Sequence, residues 1–68
     1  MKPGEQILIA ARKQAAGELE VHKANIAVYQ TRPAGIGEHS DIVEAVMAEL
    51  DKMAMANDRI EMLDKYFS

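Results

Sequence analysis

A chain of 68 residues is one small domain at most, and such chains rarely draw more than about 3–5 kcal/mol from a single core without a disulfide, a metal or a partner. Cysteine is absent, which removes disulfides and thiolate metal sites and fits a reducing compartment. The composition is 49% hydrophobic and 28% charged with a net charge of −3, too apolar for a disordered segment and without a basic stripe to grip phosphates, so nucleic acid is not an expected partner.

The longest apolar run, Ile7 to Ala11, is far shorter than the ~20 residues of a membrane span. Glu5, Arg12 and Lys13 flank it too closely for a signal peptide. The expectation is a soluble, cytoplasmic protein with no membrane partner.

The first predicted element is a helix over residues 4–31. It holds no proline, is rich in good helix formers, and Pro3 suits its first turn. Leu8, Ala11, Ala15, Leu19, His22, Ile26 and Tyr29 recur at spacings of three and four, a seam for a neighbouring helix. Ile7, Ala10, Gly17, Val21, Ala24 and Val28 form a second apolar stripe. Together the two cover an arc of roughly 220°, against the ~100° that a helix facing one neighbour requires. These six residues are the expected self-association surface. Gly17, beside Ala15 and Ala16, gives a small-residue patch where helices can come close.

The connection spans residues 32–39, broken at Arg32-Pro33-Ala34-Gly35-Ile36-Gly37, where proline and two glycines oppose helix. A second helix follows over 40–67. Ser40 or Asp41 is its expected cap, Asp41 and Glu44 have capping-box spacing, and Glu38, Asp41 and Glu44 suit the positive end of its dipole. Glu61 and Lys65 form an expected i,i+4 pair. Val43, Val46, Leu50, Met53, Ala56, Ile60 and Leu63 make its seam. Folding about Ile36 sets Tyr29 by Val43, Ile26 by Val46, His22 by Leu50, Leu19 by Met53, Ala15 by Ala56, Ala11 by Ile60 and Leu8 by Leu63. Residues 1–34 carry five Lys/Arg against three Asp/Glu, and residues 35–68 carry three against eight, so the halves are electrostatically complementary. The predicted fold is all-α, an antiparallel two-helix hairpin that dimerises into a four-helix bundle with the first helices central.

Met47, Met55 and Met62 fall off the main seam. Methionine suits adaptable surfaces, which makes these a candidate site for a further protein, set against the plainer reading of scattered exposed methionines. Glu18 and His22 share a helix face, and in a dimer two such pairs could converge on a metal. The simpler reading is a surface ion pair or polar residues that fix register. The Glu-x-x-His spacing of di-iron bundles is missing. His39, between Glu38 and Ser40, reads as a helix start. Gly35-Ile36-Gly37 lacks the Gly-Lys-Ser/Thr that a phosphate loop requires. The acidic second helix is interrupted by Lys52, Arg59 and Lys65, which argues against phosphate mimicry. No nucleophile–base–acid set can be assembled, so neither catalysis nor a cofactor is expected.

Three segments carry a resemblance: Lys2-Pro3 with Glu5-Gln6-Ile7, Gly35-Ile36-Gly37-Glu38-His39-Ser40-Asp41-Ile42, and Leu63-Asp64-Lys65-Tyr66-Phe67. The chain resembles small uncharacterised proteins of marine tailed phages that infect cyanobacteria. That family has no assigned activity, so no residue role follows from it. The resemblance implies a protein of viral or metagenomic origin in the host cytoplasm, an accessory factor acting on host or phage machinery. The functional expectation is therefore protein–protein interaction by a self-associating helical protein with an unidentified client. The competing class is a metal-binding bundle using Glu18 and His22 from two chains.

Overall fold

The computed structural model describes residues 3–31 and 39–68, with side chains over 4–31 and 41–68. Two helices, α1 (Pro3–Thr31) and α2 (His39–Phe67), pack against each other. Arg12 meets Asp64, Glu18 meets Arg59 and His22 meets Glu49. Numbers that rise along one helix fall along the other, so the pair is an antiparallel hairpin. The turn about Gly35-Ile36-Gly37 and the charge of Glu38 lie outside the described residues, as do the side chains of His39 and Ser40.

Each helix is 29 residues long, about 44 Å at ~1.5 Å per residue. α2 starts at His39, so Asp41 stands in its first turn rather than at its cap, with its charge toward the positive end of the dipole. At the far end of α1 the Thr31 hydroxyl shares its proton between the carbonyls of Ala27 (3.1 Å) and Val28 (3.2 Å), the second of which the last turn would leave open. The expected Glu61–Lys65 pair is not made. Glu61 accepts from Asn57 at 3.3 Å, and Lys65 Nζ lies 5.3 Å from the Tyr66 ring centroid.

The shielded residues define the seam. On α1 they include Leu8, Arg12, Ala15, Leu19, His22, Ile26 and Tyr29; on α2, Ile42, Val46, Glu49, Met53, Ala56, Ile60 and Leu63. Each set steps alternately by four and three, the seven-residue repeat of a left-handed coiled coil. Three expected members are corrected. Ala11, Val43 and Leu50 are exposed, and Arg12, Ile42 and Glu49 take their places. Arg12 fits because its aliphatic stem can lie along the seam while its guanidinium reaches Asp64. Glu49 fits because His22 and Asn25 meet its charge.

Only two described residues are fully buried, Ala15 at 3% and Ala56 at 1% exposure, and no large side chain is. The Cα extents are 50 × 17 × 12 Å and the radius of gyration is 15.5 Å, against ~11 Å for a compact chain of this length. The accessible surface is 5245 Å², where a compact monomer of 7.5 kDa exposes about 4,250 Å². One line of helix contact is too little to seal a core.

The buried alanines carry the first prediction. Ala15→Leu should destabilise the hairpin by about 1–3 kcal/mol through overpacking, read from the urea midpoint, whereas Ala16→Leu on the exposed neighbour should stay within ~0.5 kcal/mol. Equal effects at both positions would remove Ala15 from the seam.

Candidate functional site

Three features stand out on this scaffold: a polar layer in the seam, a groove along one flank, and the unpartnered face of α1. The polar layer is built by helix repeat. His22 on α1 and Glu49 on α2 each hold a seam position, and Asn25 sits one turn along α1 from His22. The ring Nδ1–H of His22 donates to Glu49 Oε2 at 2.5 Å, and Asn25 Nδ2 donates to Oε1 at 3.3 Å. The His22 and Glu49 side chains are 20% and 12% exposed, so the contact is drier than a surface ion pair. The hydrogen bond from His22 holds the Glu49 carboxyl below its ordinary value. Burial opposes that shift, while Asn25 and the positive charges of His22 and Lys52 reinforce it.

Glu18 and His22 do not engage each other. Glu18 accepts from Gln14 at 3.1 Å through Oε1 and from Arg59 at 3.2 Å through Oε2. Its carboxylate is thus turned along the flank, while the His22 ring turns into the seam. Among the described residues no three His, Asp or Glu side chains gather as a metal site would require. The partner of His22, Glu49, is a residue that the sequence reading passes over. The signal for it is the strict repeat, which requires a seam residue at position 49.

The groove runs beside the Glu18–Arg59 bridge. It is an open hollow of about 540 Å³ with Ala11, Gln14, Met62 and Phe67 among its walls. Arg59 also donates to the Met55 sulfur at 3.5 Å. Met55 and Met62, seven residues apart, therefore share the flank that Gln14 and Glu18 occupy. Met47 lies one turn from both Val43 and Leu50, on a neighbouring face. All three methionines are exposed, so the candidate partner surface is open but divided between two faces.

The third feature is the back of α1. Ile7, Val21 and Val28 are 69%, 56% and 56% exposed, and Ala10, Gly17 and Ala24 are exposed beside them. With Gln14 and Thr31 these residues again step by three and four, a second seam on the side of α1 that α2 leaves uncovered. One set of positions holds Ile7, Gln14, Val21 and Val28; the alternate set holds Ala10, Gly17, Ala24 and Thr31. The first set is large and the second is small throughout. Nothing lies within 4 Å of where a Cβ on Gly17 would stand, so packing within the chain gives no reason for glycine there. Relative to alanine it costs the helix about 1 kcal/mol.

No protein-family model, curated protein or solved structure matches the chain. No helix among the described residues is long and apolar enough to cross a membrane.

The polar layer predicts a pH response. Because the folded-state value of Glu49 lies below its ordinary 4.5, the contact stabilises the hairpin above that value and is withdrawn as pH falls through the lowered one. The thermal midpoint should fall as pH drops below about 4.5. Glu49→Gln should start lower at neutral pH and fall less across the same window. An acid limb equally steep in Glu49→Gln would assign the response to other carboxylates.

Proposed function

We propose that the chain works as a homodimer, two hairpins forming a four-helix bundle with the α1 helices inside and α2 outside, and that this bundle is a protein-interaction module. The observation that carries this reading is the second seam of α1, a repeat of coiled-coil type with isoleucine and valine more than half exposed. Isolated exposed apolar residues are ordinary, but a contiguous stripe along a helix marks an interaction surface. The surface area points the same way. The hairpin exposes about 1,000 Å² more than a compact chain of its mass, close to the ~800 Å² that each partner contributes to a standard interface.

Charge limits the kind of client. A net charge of −3 without a basic stripe gives neither phosphates nor anionic lipid a footing, so the outer face of the bundle is read as meeting protein. The adaptable Met55 and Met62 beside Arg59 offer such a client both apolar and charged contacts. Taken with the resemblance to small cyanophage proteins, we read the module as a viral accessory factor of the host cytoplasm. It has no catalytic step of its own.

Sedimentation of the pure protein at micromolar concentration should give twice the 7.5 kDa chain mass. Val21→Ser should weaken the dimer on the order of a hundredfold, because ~1.5 kcal/mol of apolar burial is lost in each of two copies. Val43→Ser, on the other helix, should leave association unchanged. A helical, cooperatively unfolding monomer across that range would end the dimer reading.

A further inference from the structure

The back of α1 also specifies how the second copy lies on it, an inference that rests on the dimer reading above. We propose that the two α1 helices pack antiparallel about a two-fold axis near Ala15 and Ala16. Ile7 then faces Ala24 of the second copy, Ala10 faces Val21, and Gln14 faces Gly17. Lys13 of each copy pairs with Glu20 of the other.

The alternation of large and small residues selects the direction. In a parallel pair each residue meets its own copy, so Gly17, Ala10 and Ala24 would each face themselves and leave hollow layers, while Val21 would crowd Val21. In an antiparallel pair every layer joins one large and one small side chain, the complementarity that close-packed interiors need. This also accounts for Gly17, whose Cβ position is open within the chain. In the dimer that space receives the longest side chain of the stripe, Gln14.

Charge selects the register. Antiparallel alignments that keep large against small recur every half-repeat along α1, and among them only one sets Lys13 against Glu20. The one centred near Leu19 sets Ala10 against Val28 and brings Glu20 against Glu20 and Glu18 against Glu18 across the axis, which repels. The one centred near Ala15 and Ala16 sets Lys13 against Glu20 twice. Lys13 and Glu20 are both exposed, and among the described residues neither makes an ion pair. Glu18, by contrast, already holds Arg59 at 3.2 Å. The parallel alternative would need Glu18 for Lys13, whereas the antiparallel one uses Lys13 and Glu20, neither of which makes an ion pair among the described residues.

The chain has no cysteine, so single substitutions report the arrangement directly by oxidative cross-linking. Ala10→Cys mixed with Val21→Cys should give a disulfide-linked mixed dimer at least ~tenfold faster than either variant alone or than Ala10→Cys mixed with Val28→Cys, since only paired positions bring Cα atoms within about 7 Å. Rapid linkage of Ala10→Cys to itself would mean a parallel pair, and rapid linkage with Val28→Cys would mean the register centred near Leu19; either overturns the proposal while the dimer stands. No linkage in any mixture, from a protein that sediments as a dimer, would likewise overturn this register. A monomeric parent would remove the dimer reading itself.

Discussion

Two helices packed side by side touch along one line, and a line of contact can bury small residues fully but large ones only along an edge. That constraint explains why the buried residues of this hairpin are alanines while leucine, isoleucine and tyrosine along the same seam stay partly wet. It also explains the elongated shape. The hairpin gains area from length, not from depth, and each added turn brings new apolar surface to the seam and new apolar surface to the outside. For a chain whose stability is a small difference between large terms, an uncovered second seam on α1 matters as much as the covered first one.

Within that thin seam the His22–Glu49–Asn25 layer has a distinct part. Apolar layers of similar size tolerate sliding by one repeat, because a leucine meets a methionine as readily as an isoleucine. A charged residue in the seam does not, since a slipped register would leave Glu49 shielded and unmatched, at a cost above that of losing a hydrogen bond. Arg12 with Asp64 and Glu18 with Arg59 mark the same register from the flanks, though more exposed pairs contribute less. Polar residues in the seam therefore give up some stability and gain one alignment of the two helices, the role best established for such residues in coiled coils.

Those same residues account for what the sequence reveals and what it hides. The absence of proline from 4–31, the break at Pro33 and the three–four periodicity were enough to read two helices and their pairing, because each signal is local and the structure obeys it. The seam read from hydrophobicity keeps His22 but moves to the adjacent apolar residue at the other two polar positions: Ala11 for Arg12 and Leu50 for Glu49. Val43 for Ile42 is the same slip at an apolar position, where both residues are β-branched and only the repeat distinguishes them. A strict alternation of four and three recovers all three, at the cost of accepting arginine and glutamate in a core stripe. Nothing local announces that Glu49 will meet His22, since the match depends on the register between helices, which no single segment encodes. The back of α1 was legible for the opposite reason: a width of apolar arc is a property of one helix alone.

The two seams of α1 are coupled through the helix they share. A partner that binds only the folded hairpin stabilises it by mass action, so in the proposed dimer the outer stripe would supplement an inner seam interrupted by Arg12 and His22. The glycine at position 17 then has an understandable cost. It weakens α1 as an isolated helix and, in the proposed dimer, would leave room for Gln14 of the second copy. The outer acidic face of α2, charged at Asp51 and Asp58 and exposed, would be left free by that arrangement.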